Sequence, residues 1–154
     1  MATVYSAQRT KLTQNDPTEV VKSNELAGRV RVAYASYEAA SLASGDVIEM
    51  FALPDGARIL HGYLAADAMG SSTTLSVGHG AYNTSAGTAV AADVDEFYAA
   101  AASTSAQKVD VANTLALGSG IEVDADKDGY LVTVSMGGAA GTGTIELTML
   151  YVVD

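Results

Sequence analysis

Alternation of apolar and polar residues is the dominant pattern of this chain, and it predicts β-strands. In "RVRVAYAS", Val30, Val32 and Tyr34 fall on one face of such a strand. The stretches "GYLVTVSMG" and "GTIELTMLYVVD" near the C-terminus alternate in the same way. Similar stretches lie between them, separated by turns such as "PDG" at 54–56. Together they predict about eight strands.

One segment follows a helical spacing instead. In "DVDEFYAAAAS", Asp93 precedes Glu96 by three residues, as in a capping box. The apolar residues that follow have the spacing i, i+3, i+4 and i+7 of one helix face; they are Val94, Phe97, Tyr98 and Ala101. The pattern predicts a short helix over 93–103.

These elements predict an all-β fold, a two-sheet, jelly-roll-like sandwich with one short helix. An incomplete barrel is the alternative architecture. Residues 1–27 show no sustained periodicity and are expected to form an extended N-terminal arm, with the sandwich domain over 28–154. A frayed terminus is the other interpretation of the arm.

The charge is unevenly distributed over the 154 residues, whose net charge is −10. Residues 1–31 carry five basic and three acidic groups, and the rest carries three basic and fifteen acidic groups. An acidic body of this kind argues against nucleic acid as a partner. Cysteine is absent, which excludes disulfides and thiolate metal sites. No apolar run approaches the roughly 18 residues of a membrane span, so no membrane partner is expected.

The stretch "DADKDG" begins like a calcium-binding loop. Asp124, Asp126, Asp128 and Gly129 occupy the first ligand positions and the glycine position of an EF-hand. The twelfth position, which needs a bidentate Glu, is Ser135, and both flanks have a β pattern instead of helices. A hairpin turn is therefore favoured over a tight calcium site. Weak cation binding by the three carboxylates remains open, because a cation would relieve their repulsion.

No arrangement of residues typical of an enzyme is found. His61 and His79 are far apart in sequence, and a metal site built from them with Asp67 has little support. A nucleophile elbow has the pattern G-x-S-x-G, but Ser76 and Ser135 both have Thr where its first glycine should be. No phosphate-binding glycine loop is present. The sequence predicts a protein without catalytic residues or cofactors.

Eight tyrosines, against two phenylalanines and no tryptophan, indicate half-buried positions and contact surfaces. Tyr5, Tyr37 and Tyr82 are expected in the arm or in loops, where they would contact a partner. Within the arm, Val4, Arg9 and Lys11 are also expected to contact a partner, together with Tyr5.

Three motifs carry a resemblance to a protein family: "LPDGARIL", "STTLSVG" and "ADVDEFYAA", within about residues 45–103. They resemble those of small structural proteins of tailed bacteriophages, encoded near the major capsid protein, which include head decoration (cement) proteins. The resemblance implies a non-enzymatic virion protein that binds and stabilises the head lattice. It also implies the major capsid protein as partner and self-association, with a trimer expected. The location implied is the capsid exterior, after assembly in the host cytoplasm.

Two other functions remain as alternatives. One is a carbohydrate-binding β-sandwich module of a viral surface or fibre protein, which would use the loop aspartates with calcium. The absence of Trp counts against it, because such modules expose aromatic platforms. A small hydrolase ranks last, since no group of residues forms a recognisable site.

Overall fold

The computed structural model describes residues 4–14, 20–113 and 120–153. Within these ranges no helix has the length and apolar character needed to cross a bilayer. The elements in chain order are α1 (Ala7–Gln14), β1 (Val30–Leu42), β2 (Val47–Leu53), β3 (Arg58–Ala66), β4 (Thr73–His79), β5 (Tyr82–Asn83), β6 (Ala89–Val90), β7 (Asp93–Ala102), β8 (Gln107–Val111), β9 (Ile121–Glu122), β10 (Tyr130–Gly138) and β11 (Gly141–Val152).

The strands form two main antiparallel sheets. Sheet A has the order β1-β11-β3-β8, with the short β9 also paired to β3, and sheet B has the order β2-β10-β4-β7. The two-residue strands β5 and β6 pair with each other. If the eight long strands are counted along the chain, the sheets read 1-8-3-6 and 2-7-4-5. This interleaving of two Greek keys is the jelly roll that the strand pattern predicted.

The hydrophobic core lies between the two sheets. In β11 the alternate residues Ile145, Leu147 and Met149 are completely buried, and in β10 the apolar residues Val132 and Val134 occupy the same inward face. The inward residues from four central strands are Leu64 in β3, Leu75 and Val77 in β4, Val132 and Val134 in β10, and Ile145, Leu147 and Met149 in β11. The edge strand β1 contributes mainly small residues to this core, with Ala39 fully buried.

The prediction of a helix over 93–103 was wrong, because Asp93–Ala102 forms β7. This strand pairs with β4, and its register shifts twice along the pair. Such bulges place neighbouring residues on the same side of a strand, which imitates helical spacing. Phe97 is buried, whereas Val94, assigned to the same predicted helix face, is 41% exposed. Pairing with β4 outweighs local helix propensity here, as tertiary context often does.

The one helix of the described ranges lies in the N-terminal segment, which was expected to be extended. Residues 7–14 form α1 instead. Ser6 acts as its N-cap, since its Oγ accepts a hydrogen bond of 3.2 Å from the backbone N–H of Arg9. Lys11 lies in the last turn, where a positive charge is favourable to the helix dipole. Local capping therefore gives structure to a segment that lacks a hydrophobic period.

Candidate interaction surfaces

The N-terminal segment, defined as Val4–Gln14, presents most of its side chains to solvent. Val4 is 88% exposed, and Tyr5 and Leu12 are both more than half exposed. Arg9 is also exposed, and Lys11 is partly exposed. The segment contains no acidic residue. The four arm residues predicted to contact a partner are therefore together on one accessible and basic element.

Ion pairs attach the chain after this segment to one end of sheet A. Lys22 Nζ lies 2.6 Å from Glu122 Oε1, and Arg58 bridges Glu122 at 3.3 Å and Glu25 at 3.7 Å. The hydrogen bond from Lys22 lowers the pKa of Glu122 below its ordinary value. Asn24 is buried and donates to the Gly56 carbonyl oxygen at 3.3 Å. The entry to β1 is thus fixed on the sandwich.

The outer side of sheet A carries a row of apolar residues, which we call the apolar face: the exposed Val30, Val32 and Tyr34 of β1, with the partly exposed Leu150 of β11. The three β1 residues are 58%, 60% and 58% exposed. Val32 pairs directly with Leu150. The Tyr34 hydroxyl donates to Glu146 Oε1 at 2.8 Å, and this carboxylate raises the pKa of Tyr34. Exposed apolar groups arranged contiguously are typical of protein–protein contact sites.

The outer side of sheet B differs, because it is lined by hydroxyl groups. Thr133 and Ser135 alternate with core residues of β10 and so point away from the core. Ser135 lies opposite Ser76 of β4, and Thr133 lies opposite Gly78. The start of β7 passes over Gly78, where a Cβ would overlap the carbonyl oxygen of Asp93. This crossing buries Thr133 although it faces outward.

Beside this crossing lies a depression of about 240 Å³, which we call the sheet B groove. Ser76 and Ser135 lie on its floor, and Val47 and Val94 contribute to its walls. Ser135 is only 9% exposed, and its Oγ has no hydrogen-bond partner; the same is true of Oγ1 of the neighbouring Thr133. Buried hydroxyls without partners are uncommon in folded proteins. Two hydroxyls at and beside the floor of the groove are therefore buried without a hydrogen-bond partner.

The aspartate stretch forms a turn, as predicted, but it is not a hairpin. Gly129 has φ of 80°, and its N–H donates to the Asp126 carbonyl oxygen at 3.0 Å. The preceding strand β9 belongs to sheet A and the following β10 to sheet B, so the turn connects two sheets. A sequence pattern alone does not reveal which sheet each flanking strand joins.

Each aspartate of the turn has a different partner. Asp124 accepts a hydrogen bond of 2.9 Å from the Ser85 N–H, and hydrogen bonds from Ser85 lower the pKa of Asp124. Asp126 accepts from the N–H of Asp128, and the Asp128 carboxylate lies 2.6 Å from Lys127 Nζ. Across the described residues no three His, Asp or Glu side chains converge in a metal-binding arrangement. Cation binding by the turn stays a prediction.

The two histidines belong to different sheets, and Asp67 has another role. His61 in sheet A lies 3.7 Å from Asp110, with both side chains well exposed. His79 in sheet B is buried, and its Nδ1 lies 2.9 Å from the Gly80 carbonyl oxygen. Asp67 accepts a hydrogen bond from the Thr144 N–H at 3.0 Å. The structure does not bring these three residues together.

Tyr37 and Tyr82, expected in loops, lie in strands. Tyr37 belongs to β1, opposite Ile145, and is 40% exposed. Tyr82 belongs to β5 and is half-buried, with its ring centroid 4.9 Å from that of Tyr130 and 5.3 Å from that of His79. Tyr37 therefore keeps an accessible edge for a partner, whereas much of Tyr82 packs inside an aromatic cluster. The sequence analysis grouped Val30, Val32 and Tyr34 on one face but could not show that this face is exposed, and it missed the groove, because both depend on which strands pair.

Comparisons with solved structures identify related folds in phage capsids. A chain of the capsid of Ralstonia phage GP4 aligns with a TM-score of 0.59 and 25% identity, over 82% of this chain and 86% of that one. A chain of the capsid asymmetric unit of cyanophage Pam1 aligns over the same shares with a TM-score of 0.55 and 18% identity. A chain of the acid-stable capsid of Helicobacter pylori bacteriophage KHP30 aligns with a TM-score of 0.56 and 16% identity, over 80% and 87%.

The sequence itself gives no such match. A search of protein-family descriptions finds no matching family, and a search of curated proteins finds no similar sequence. In the structural matches the covered shares of both chains are nearly equal, so the matched capsid chains are about as long as this one. This chain therefore has a jelly-roll fold found in phage capsids, and the likeness supports a structural role in a virion.

Proposed function

We propose that this protein is a decoration protein of a phage head, which binds the outer surface of the capsid lattice and stabilises the shell without catalysis. The observation that carries the proposal is the alignment, over most of both chains, with similarly short chains in three phage capsids. A short jelly roll of this kind suits an accessory subunit that attaches to a shell built by a larger protein. The major capsid protein is the partner proposed.

The apolar face is the surface proposed to contact the lattice. Val30, Val32 and Tyr34 are exposed on a strand at the edge of sheet A, whose backbone is firmly held by β11 along most of its length. Rigid apolar residues lose little conformational entropy on binding, so they are effective anchors. Repetition over many lattice positions would strengthen a contact that is modest for one copy.

Self-association is part of the same proposal, with a trimer as the expected oligomer. The N-terminal segment is the element proposed to make contact, through Val4, Tyr5, Arg9 and Lys11. It is exposed and basic, whereas the sandwich is acidic, so attraction between copies is favoured over repulsion. A trimer would also match a local threefold axis of a capsid lattice.

Binding to heads assembled without this protein tests the proposal. We expect the purified protein to occupy regular lattice positions by electron cryomicroscopy and to raise the temperature at which heads release DNA. Val32→Ser should reduce occupancy, because it removes an anchor from the apolar face. Val20→Ser is the matched control, since Val20 is equally exposed but lies outside that face. Wild-type protein that leaves heads undecorated at saturating concentration would refute the function.

Calcium separates this proposal from a carbohydrate-binding module. Because Asp124 already accepts a hydrogen bond from Ser85, and Asp126 and Asp128 have partners within the turn, we expect millimolar calcium to leave the melting temperature of the protein almost unchanged. A ligand that binds only the folded state raises the melting temperature, and the rise grows with the logarithm of the ligand concentration once this exceeds the dissociation constant. An increase of several degrees at micromolar calcium would instead favour the carbohydrate-binding alternative.

A further inference from the structure

Two elements of the protein carry charges of opposite sign and could attract each other. The four strands of sheet B contain no Lys or Arg, but they carry four carboxylates: Glu49, Asp93, Asp95 and Glu96. The N-terminal segment carries Arg9 and Lys11 and no carboxylate. A cation from this segment would therefore meet only negative charge from the strands of sheet B.

The sheet B groove has the chemistry to hold a basic side chain. Val47 and Val94 can pack against the methylene groups of an arginine, which are apolar. Ser135 Oγ is buried at the floor without a partner, and it can accept a hydrogen bond from a guanidinium N–H when its side chain rotates toward the groove. An occupant that is purely apolar would leave this hydroxyl unsatisfied, and an anion would be repelled by the carboxylates.

Two of the strands that border the groove, β2 and β7, carry acidic residues close to it in sequence. Glu49 in β2 pairs with Thr133, two residue pairs along from Val47 and Ser135, so Glu49 and Val47 lie on the same face of β2. Asp95 is the neighbour of Val94, on the part of β7 that passes over Gly78. A cation seated above Ser135 would thus lie between two strands that each supply a negative charge. Desolvated pairs of this kind contribute to specificity more than surface pairs do.

The N-terminal segment has a suitable face. Arg9 and Leu12 are three residues apart on α1, so they lie on the same side of the helix. Both are exposed to solvent in the structure. One cation beside one apolar residue matches a groove with hydroxyls on its floor and valines on its walls.

We propose that the N-terminal segment of one copy binds in the sheet B groove of a second copy, with Arg9 over Ser135 and Leu12 against the valine walls. The inference rests on the self-association part of the proposed function and names its two contact surfaces. The surfaces differ, so the contact is heterologous, and it closes into a ring when the rotation between copies permits. The apolar face stays accessible to the capsid lattice.

Cysteine cross-linking tests the contact, because the chain contains no natural cysteine. Leu12→Cys and Val94→Cys are prepared as separate proteins, mixed and oxidised. We expect a disulfide-linked heterodimer of the two variants, several-fold more abundant than in a mixture of Leu12→Cys with Tyr34→Cys. Tyr34 is the matched control, as it is at least as exposed as Val94 but lies on sheet A. Equal yields in the two mixtures would overturn the inference.

Charge reversal gives a second test. Arg9→Glu should weaken self-association at least about tenfold in sedimentation experiments, and Glu49→Lys in the partner copy should restore much of the loss. Circular dichroism confirms that both variants remain folded, which is expected because both positions are outside the core. Self-association that is unchanged by Arg9→Glu would overturn the inference.

Three further outcomes separate this inference from the function itself. Decorated heads without the Leu12–Val94 cross-link would overturn the inference and leave the decoration function intact. A cross-link between copies, with no binding to heads, would support the inference and refute decoration. A Leu12→Cys cross-link that forms only with the capsid protein would overturn the proposed occupant. So would a cross-link that forms only within one chain carrying both Leu12→Cys and Val94→Cys.

Discussion

Gly78 shows how one missing side chain organises the outer side of sheet B. The start of β7 passes so close to Gly78 that a Cβ would overlap backbone atoms of Asp93 and Val94. Backbone atoms cannot move aside as the end of a flexible side chain can. The crossing of β7 over β4, and the burial of Thr133 beneath it, therefore depend on a glycine at this position.

We expect Gly78→Ala to destabilise the protein by about 2–3 kcal/mol, because it overpacks a site bounded by backbone. The matched control is Gly80→Ala, where the nearest atom to a new Cβ is the Leu131 Cδ2 at 3.3 Å. Urea unfolding followed by circular dichroism measures both. Similar midpoints for the two variants would contradict the role assigned to Gly78.

Tyr130 gives a second prediction at the residue scale. Burial raises the pKa of Tyr130 well above its ordinary value, so its phenol stays protonated in the folded protein. The unfolded chain releases this proton above about pH 10, and stability is then lost by about 1.4 kcal/mol for each further pH unit. Below that pH this contribution is fully present. In Tyr130→Phe the unfolding free energy should fall less steeply above about pH 10, by about 1.4 kcal/mol per pH unit, because one fewer proton is released on unfolding. An unchanged slope would contradict the prediction.

At the scale of elements, the long alternating strands could be predicted from sequence, and β7 could not. The runs of β10 and β11 are regular, so their period identifies both the strand and its buried face. In β7 bulges break the period, and a capping-box pattern at Asp93 and Glu96 favours helix locally. The groove was equally hidden, because it depends on Ser76 and Ser135 becoming neighbours through the pairing of β4 with β10.

Two substitutions in β7 distinguish a strand from the helix that its spacing predicts. Phe97 is buried, with its ring centroid 6.2 Å from that of Tyr130, so Phe97→Ala should cost about 3–5 kcal/mol. Val94 is exposed, and Val94→Ala should change stability by no more than about 0.5 kcal/mol. Thermal or urea unfolding measures both. Comparable losses would instead fit a helix that buries both residues on one face.

The segment that leads into β1 is expected to loosen in acid. Because Lys22 lowers the pKa of Glu122, the attachment is stabilised above the unfolded pKa and is lost as pH falls through the lower folded value, below about pH 4. Glu122→Gln should produce the loosening already at neutral pH. Hydrogen exchange at the N–H groups of Glu25 and Leu26, which donate to the Lys22 carbonyl oxygen, reports it. Asp110→Asn, in an exposed pair with His61, should leave their exchange unchanged.

For the whole molecule, the two sheets present different chemistry to their surroundings. Sheet A carries the apolar face. At one of its ends Glu122 forms ion pairs with Lys22 and Arg58. Sheet B carries hydroxyls and carboxylates without Lys or Arg. A subunit with two unlike surfaces can bind a lattice with one and a neighbouring copy with the other. The division also gives each subunit a defined orientation on a shell.

Refolding of the whole domain should be slow for its size. Most pairings join strands that are distant in sequence, such as β1 with β11 and β2 with β10. Topologies dominated by such pairings fold in about milliseconds to seconds, since loop closure must precede the contacts. Stopped-flow tyrosine fluorescence measures the rate. Refolding within microseconds would contradict the topology.

The pairing of β1 with β11 has a consequence for synthesis in the cell. Val30 leaves the ribosome more than a hundred residues before its partner in the sheet, Val152. Until then β1 offers a bare hydrogen-bonding edge beside its row of valines, which is a hazard for aggregation in a nascent chain. A chaperone that covers β1 during translation would therefore be expected to raise the yield of folded protein.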